Sequence, residues 1–230
     1  MNLTLEAIRI SRGEWSVSAQ AIFEEGVHLV SGKVGSGKST LALVMAGLLR
    51  TDSGSVLPRG ISSRMVSFQF PEYHLTGSTV DEECSSWGVD PEKVISSVKL
   101  GEKRNLPPLS LSRGELKRLH LACILSKKYD LLILDEPFSS LDCREKERVS
   151  REISSHGSGI TVILSHEQAI FPRVDFIWEI RNGTLMCLGS QPSTLPKWHL
   201  APEIIKNLIA AGKVPLNIAP GDLLEAASRT

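Results

Sequence analysis

The sequence has little of what marks a membrane-spanning, secreted or strongly charged protein. None of its apolar runs approaches the ~20 residues that a membrane-spanning helix requires, and the opening stretch MNLTLEAIRISRG has no signal-peptide core. Lys and Arg together number 26, as do Asp and Glu, so the formal net charge is zero. This balance argues against binding nucleic acid or anionic membranes through bulk charge. We therefore expect a soluble intracellular protein that acts at a membrane only through a partner.

Cysteine is also scarce. The four cysteines are scattered and form no CxxC pair, which favours reduced thiols over a metal site or disulfides. They are Cys84, Cys123, Cys143 and Cys187. With 230 residues, 41% apolar and 23% charged, the chain is long enough for one large domain, or for a core domain with a small appendage.

A glycine-rich segment, GKVGSGKST at residues 32–40, is the most informative part of the chain. It fits the phosphate-binding template of glycine, four residues and Gly-Lys-Ser/Thr, at Gly32, Gly37, Lys38 and Ser39. Glycines let the backbone turn tightly, so that successive N–H groups point at phosphate oxygens. The lysine adds a positive charge for the outer phosphates, and the serine hydroxyl suits a magnesium ion. An apolar strand precedes the segment and a buried helix over 41–49 follows it, which is the order that this mechanism needs.

Polar residues also follow two other buried strands. The segment DLLILDEP places Asp135 at a strand end with Glu136 beside it. Such an aspartate can hold magnesium, and the glutamate can activate an attacking water molecule. The segment ILSHE places His166 just beyond another buried strand.

Two further segments begin predicted helices. In LSRGE, Ser112 caps a helix over 112–127, with Glu115 three residues later, as in a capping box. Its hydroxyl and the Gly114 backbone form a second place where phosphate could bind. The segment SSLD ends at Asp142, before a charged helix over 144–155. Elsewhere, alternation over residues 1–30 predicts antiparallel strands, a further strand is predicted over 61–70, and buried strands are predicted over 130–135 and 159–166.

Taken together and in order, these segments resemble the ATP-binding-cassette (ABC) ATPases over about residues 1–190. The resemblance implies an α/β fold with a P-loop NTPase core, in which a RecA-like parallel sheet is flanked by helices. It also implies an N-terminal antiparallel β subdomain and a short helical subdomain inserted at about 71–114. The resemblance further implies that the remaining residues, 191–230, form a small C-terminal extension for subunit interaction. ATP and Mg²⁺ are the implied cofactors.

The same resemblance assigns roles to particular residues. Gln69 corresponds to the glutamine that reaches magnesium, together with Ser39 and Asp135. Trp15 corresponds to the aromatic residue that stacks on adenine, although an ordinary packed aromatic is an alternative. Catalysis is assigned to Glu136, His166 and Lys38. The residues expected to contact ATP are Trp15, Gly32, Lys33, Val34, Gly35, Ser36, Gly37, Lys38, Ser39, Thr40 and Gln69.

In this family two cassettes meet head to tail, so the resemblance implies a second ABC ATPase subunit, either another copy or a related paralogue. Ser112, Gly114 and Asp142 are expected to contact the ATP of that partner. The segment LSRGE departs from the usual LSGGQ, with Arg113 for glycine and Glu115 for glutamine, but it retains the serine and the second glycine. The segment between Gln69 and Leu111 is also shorter than usual.

A finer resemblance is to the ATPases of energy-coupling-factor (ECF) importers of vitamins, cobalt or nickel. The segment QFPEYHLTGSTVDEE and the tail PEIIKNLIAAGKVPLNIAPGDLLEA carry it, with His74 where that group often has glutamine. It implies a transmembrane scaffold subunit, a substrate-binding membrane subunit, a position on the cytoplasmic face of the membrane, and no nucleic acid. The sequence does not name the substrate. The alternatives are a soluble ABC ATPase, such as an iron–sulfur assembly ATPase, and a nucleotide-gated module of DNA repair or translation.

Overall fold

The computed structural model describes residues 1–157 and 159–229. Its strands are β1 (Asn2–Arg12), β2 (Trp15–Glu24), β3 (Gly26–Ser31), β4 (Ser53–Arg59), β5 (Arg64–Ser67), β6 (Leu131–Asp135), β7 (Ile160–Ser165), β8 (Phe176–Arg181) and β9 (Thr184–Ser190). Its α-helices are α1 (Lys38–Ala46), α2 (Val80–Ser86), α3 (Pro91–Ser97), α4 (Arg113–Leu125), α5 (Cys143–Ser155), α6 (Glu203–Ala210) and α7 (Pro220–Ser228). All the strands belong to one sheet, in the order β4-β1-β2-β9-β8-β3-β7-β6-β5.

The half of the sheet from β8 to β5 is parallel. Both β6 and β7 are buried along their whole length, which explains their continuous apolar sequences. Ser31 at the end of β3 pairs with Ser165 at the end of β7, and Asp135 at the end of β6 pairs with Leu164. Parallel strands place their carboxyl ends at one edge of the sheet. The segments that follow β3, β6 and β7 therefore meet there.

The other half of the sheet is antiparallel, as the alternation over residues 1–30 predicts. β1 pairs with β2 and β4, and β8 pairs with β9. Within this half one pairing is parallel: β2 pairs with β9 at Ser18 and Thr184, which joins β1, β2 and β4 to the rest of the sheet. This join brings the turn between β1 and β2, with Trp15 at its end, next to the loop that follows β3.

The first helix differs from its predicted bounds at both ends. It begins at Lys38, so the last residues of the glycine-rich segment form its first turn. It ends at Ala46 because Gly47 adopts a left-handed conformation, φ 79°, and its N–H bonds back to the helix carbonyls. The helix therefore places Ser39 and Thr40 at its N-terminus, where the backbone N–H groups lack partners within the helix.

Two further groups of helices pack around hydrophobic clusters of their own. α2 and α3 form a small core with the apolar face of α4. The C-terminal helices pack on a separate core through Trp198, Ile205, Ile218 and Leu223. Trp198 Nε1 also donates a hydrogen bond of 2.8 Å to Ser31 Oγ, so the C-terminal extension contacts the last residue before the glycine-rich loop.

Candidate active site

The glycine-rich loop connects β3 to α1 and requires glycine at Gly37. The φ of Gly37 is 99°, a left-handed conformation that favours glycine. A Cβ at this position would lie 2.3 Å from Cζ2 of Trp15. The Trp15 indole in turn donates a hydrogen bond of 3.0 Å to the Gly35 carbonyl. The aromatic residue and the loop therefore hold each other in place.

The Lys38 side chain is buried and folds back across the loop. Its ammonium donates hydrogen bonds to the carbonyls of Gly32, at 2.9 Å, and Lys33, at 3.2 Å. It also lies 3.7 Å from Oε1 of Glu136. The cation is therefore positioned between the loop and the carboxylate that follows β6.

Glu136 is held in a strained conformation at the centre of the site. Its φ is 49°, which is uncommon for a residue with a side chain, and its N–H bonds to the Leu164 carbonyl at 2.9 Å. Its carboxylate is buried and accepts hydrogen bonds from Ser165 Oγ, at 3.1 Å, and from His166 Nδ1, at 2.6 Å. The end of β7 thus fixes where this carboxylate points. An oriented carboxylate of this kind can accept a proton from a water molecule.

Asp135, Ser39 and Gln69 together suit a magnesium ion. Burial raises the pKa of Asp135, and a hydrogen bond from the Ser39 hydroxyl opposes that shift. Oδ1 of Asp135 is buried and has no hydrogen-bond partner among the residues that the structure describes. A buried oxygen without a partner costs free energy that a cation would recover. Gln69 lines the same cleft as Ser39 and Asp135, and all three supply the hard oxygen atoms that magnesium prefers.

A cavity of about 470 Å³ opens above these groups. It is lined by Arg12, Trp15, Val34, Gly35, Gly37, Lys38, Ser39, Thr40, Gln69, Glu136 and His166. Within the described ranges, Gly32, Lys33 and Ser36 are not among its lining residues; Lys33 and Ser36 line a second cavity behind the loop. The structure therefore gathers most of the predicted ATP contacts, together with Glu136 and His166, around one cavity.

The residues predicted to contact a partner's ATP lie elsewhere. Ser112 is the N-cap of α4 and Asp142 is the N-cap of α5, where each accepts a hydrogen bond from a backbone N–H. Gly114 packs closely on the same region, since a Cβ there would lie 2.9 Å from the Ser140 carbonyl. None of the three lines the cavity in the part of the chain that the structure describes. Their role at a second site stays a prediction.

Glu115 completes the predicted capping box at the start of α4. Its carboxylate accepts hydrogen bonds from the Ser112 N–H, at 3.0 Å, and from Lys103 Nζ, at 2.7 Å. The bonds from Lys103 and Ser112 lower the pKa of Glu115 to about 2. A negative charge at a helix N-terminus is favourable, so glutamate at this position supports the segment that carries Ser112.

Substitution of Glu115 should therefore destabilise the protein in a pH-dependent way. We expect Glu115→Ala to lower the free energy of unfolding at pH 7 by about 1 kcal/mol, since a cap and a partly exposed ion pair are lost. The contribution is complete above the unperturbed pKa of 4.5 and declines as pH falls toward about 2. Chemical denaturation at pH 7 and pH 3 measures it, with the exposed Glu102→Ala as control. If the free energies of unfolding of wild type and Glu115→Ala differ by the same amount at pH 7 and pH 3, the pH dependence proposed for Glu115 is wrong.

Sequence reasoning missed three residues that the structure places at or beside the site. Arg12 lines the cavity, and Ser165 bonds to Glu136. Lys117 on α4 is buried and bonds to the Gln69 carbonyl. Ser165 could have been noted because it ends the strand before His166. Nothing in the sequence distinguishes Lys117 from an ordinary surface lysine.

Comparison with known proteins places the chain in a family. A family profile described as ABC transporter matches residues 19–139. The chain belongs to the ABC transporter family. It is the ATP-binding subunit, and membership of this family implies that it hydrolyses ATP. Within the described ranges, no helix has both the length and the apolar character to cross a membrane.

Individual relatives extend this finding. The energy-coupling factor transporter ATP-binding protein EcfA1 of Thermotoga maritima is 33% identical over 214 residues, which cover 83% of this chain and 82% of the relative. EcfA2 of the same organism is 29% identical over 228 residues, which cover 86% of this chain and 85% of the relative. A solved structure of a putative cobalt transport ATP-binding protein superposes with a TM-score of 0.65 at 22% identity, covering 80% of this chain and 78% of that one. That structural likeness shows the fold alone, and it agrees with the predicted P-loop NTPase class.

Proposed function

We propose that this chain binds and hydrolyses Mg²⁺-ATP to power an ECF-type importer of a metal ion or vitamin, from the cytoplasmic face of the membrane. The observation that carries the chemistry is the meeting of Lys38, Asp135, Glu136 and His166 at one edge of the sheet, beside the 470 Å³ cavity. The similarity to EcfA1 and EcfA2 supports the type of transporter.

In the proposed mechanism Glu136 orients the attacking water and accepts its proton. Ser165 and His166 fix the Glu136 carboxylate in advance, so little reorganisation is needed during the reaction. Lys38 and the backbone N–H groups of the loop bind the outer phosphates, while His166 contacts the γ-phosphate. Ser39, Gln69 and Asp135 hold magnesium, which when bound neutralises charge on the phosphate oxygens.

A second cassette completes each site in this proposal. Ser112, Gly114 and Asp142 lie outside the chain's own cavity, so they are available to the ATP of a partner. The C-terminal extension offers a surface for the pairing, because Ile204 is 52% exposed and Leu224 is 72% exposed. These residues lie on α6 and α7, which contact each other, and exposed apolar side chains can contribute to an interaction surface. The partner is another copy or a related ATPase.

A surface beside Gln69 suits the transmembrane scaffold subunit. Phe70 is 51% exposed and Tyr73 is 75% exposed, and both line an apolar cleft with Leu43 and Phe68. Aromatic side chains are enriched at the buried centres of protein interfaces. This cleft borders Ser39, Gln69 and Asp135, so a scaffold bound there would contact the residues proposed to hold magnesium.

Purification of the tagged chain from its native membranes in mild detergent tests the proposal. We expect mass spectrometry to identify a polytopic membrane protein and a small substrate-binding membrane subunit. The double variant Phe70→Ala/Tyr73→Ala should lose both while still binding ATP, because it removes only the apolar surface. Met186→Ala, an exposed apolar change on β9, serves as the control. Recovery of soluble proteins alone would point instead to an ABC ATPase without a transport role.

A further inference from the structure

A lysine buried in α4 is bonded to the backbone at Gln69. The Lys117 side chain is only 1% exposed. Its ammonium donates hydrogen bonds to the Gln69 carbonyl, at 3.1 Å, and to the Phe68 carbonyl, at 3.4 Å. Lys117 lies about one turn after Gly114 on α4, the helix that Ser112 caps. One helix thus carries both the residues proposed for the partner's ATP and a direct bond to Gln69.

Packing alone does not explain why a charged ammonium is buried at this position. Removing a charged amine from water is expensive unless hydrogen bonds and opposite charges compensate for it. The two carbonyls supply the bonds, and the acidic groups whose charges act on the ammonium are Asp135, Glu136 and Glu72. A methionine of similar length would fill the same space without that cost. What the lysine adds is therefore the pair of hydrogen bonds to the backbone carbonyls of residues 68 and 69.

Two neighbouring histidines also form hydrogen bonds at the end of β5, with Ser67 and Phe68. His120, one turn beyond Lys117, lies 3.1 Å from Ser67 Oγ through its Nε2 atom. His74 Nε2 accepts the Phe68 N–H at 3.1 Å, and the His74 and His120 rings lie 4.4 Å apart. The end of β5 is thus attached to α4 on one side, while the Gln69 side chain lines the ATP cavity on the other.

We propose that Lys117 is a positioning residue for Gln69: it fixes the Gln69 backbone so that the side chain is aimed at the magnesium position between Ser39 and Asp135. The inference rests on the proposed function, because it takes Gln69 as a ligand of magnesium. It also gives α4 a physical connection to that ligand, so that engagement of Ser112 and Gly114 by the partner's ATP can alter the position of Gln69.

A double-mutant cycle on the purified assembly tests this role. We expect Lys117→Met to lower kcat about tenfold and to raise the Mg²⁺ concentration for half-maximal turnover by a similar factor, since a small misplacement of a ligand has effects of at least this size. Affinity for ATP in EDTA should stay within about twofold, because without magnesium the loop and Lys38 dominate binding. In the double variant with Gln69→Ala, Lys117→Met should add less than about twofold, as expected of residues that act as a unit.

The control is Lys93→Met. Lys93 lies on the exposed surface of α3, where its ammonium is 3.6 Å from Oδ2 of Asp90, so its loss should leave kcat and the Mg²⁺ requirement unchanged. If Lys117→Met does not fold, Lys117→Gln replaces it, since its amide is one bond too short to reach the carbonyls. The inference would be overturned, while the proposed function stands, by either of two results. One is a double variant whose fall in kcat equals the product of the two single falls; the other is a Lys117→Met turnover equal to that of wild type. A wild-type assembly that hydrolyses no ATP would overturn both.

Discussion

Replacement of Glu136 by glutamine should slow turnover strongly while preserving ATP binding. Glutamine has nearly the same shape and can still accept the hydrogen bond from Ser165, but it cannot take a proton from water. General-base catalysis contributes about 10²–10⁴-fold to a rate, so we expect kcat to fall by at least about 100-fold. Affinity for ATP should change little, because Lys38 and the loop remain. With hydrolysis blocked, two cassettes should remain associated around bound ATP.

Steady-state phosphate release and size-exclusion chromatography with Mg²⁺-ATP measure these effects. The matched control is Glu147→Gln, which makes the same change of charge at an exposed position of α5. It should behave as wild type in both measurements. If Glu136→Gln hydrolyses ATP within threefold of the wild-type rate, then another group is the base.

Replacement of Lys38 by methionine should remove most of the affinity for nucleotide. The ammonium is the only charge that this substitution deletes, and methionine keeps most of the volume of the buried side chain. A hydrogen bond to a charged group contributes about 1.5–3 kcal/mol, which corresponds to roughly 10- to 100-fold in the dissociation constant. In the nucleotide-free protein, Lys38 already donates hydrogen bonds to the Gly32 and Lys33 carbonyls. Because phosphate contacts compete with these bonds, the net contribution of Lys38 to the binding free energy is smaller, and we expect the lower part of this range.

Isothermal titration with ATP, with and without magnesium, measures the loss. Lys93→Met, on the exposed surface of α3, is the control for loss of a positive charge. Thermal unfolding of both variants establishes that they are folded. Equal dissociation constants for Lys38→Met and wild type would show that residues 32–40 are not the phosphate-binding loop.

Much of the fold and of the candidate site follows from local sequence. The order of strand, glycine loop and helix at residues 27–49 is a local pattern, and so are the buried strands that end at Asp135 and before His166. Parallel strands bring their carboxyl ends together regardless of the details of packing. For that reason three segments far apart in sequence could be expected at one edge of the sheet. The capping box of Ser112 and Glu115 was likewise predictable, because it depends on residues only three positions apart.

Contacts between distant elements could not be read from the sequence. Lys117 lies between Glu115 and Arg118 in a charged stretch, and its burial arises only because α4 packs against the end of β5. Cys84 and Cys123 are 39 residues apart, yet their sulfur atoms lie 4.0 Å apart in the core of the helical region. Glu136 adopts a positive φ, and no residue type in the sequence marks it. Each of these features depends on the tertiary arrangement.

The most direct test of the account is the ATP turnover number per chain, compared between the isolated protein and the membrane assembly purified through it. Each site is proposed to need a second cassette, and donors absent from a site typically cost about 10²-fold or more in rate. We predict slow hydrolysis by the isolated chain at low concentration and a rate at least about tenfold higher in the assembly. That increase should disappear when the tagged chain carries Glu136→Gln. Equal turnover by the isolated chain and the assembly, or no membrane protein with which to form one, would contradict the central claim.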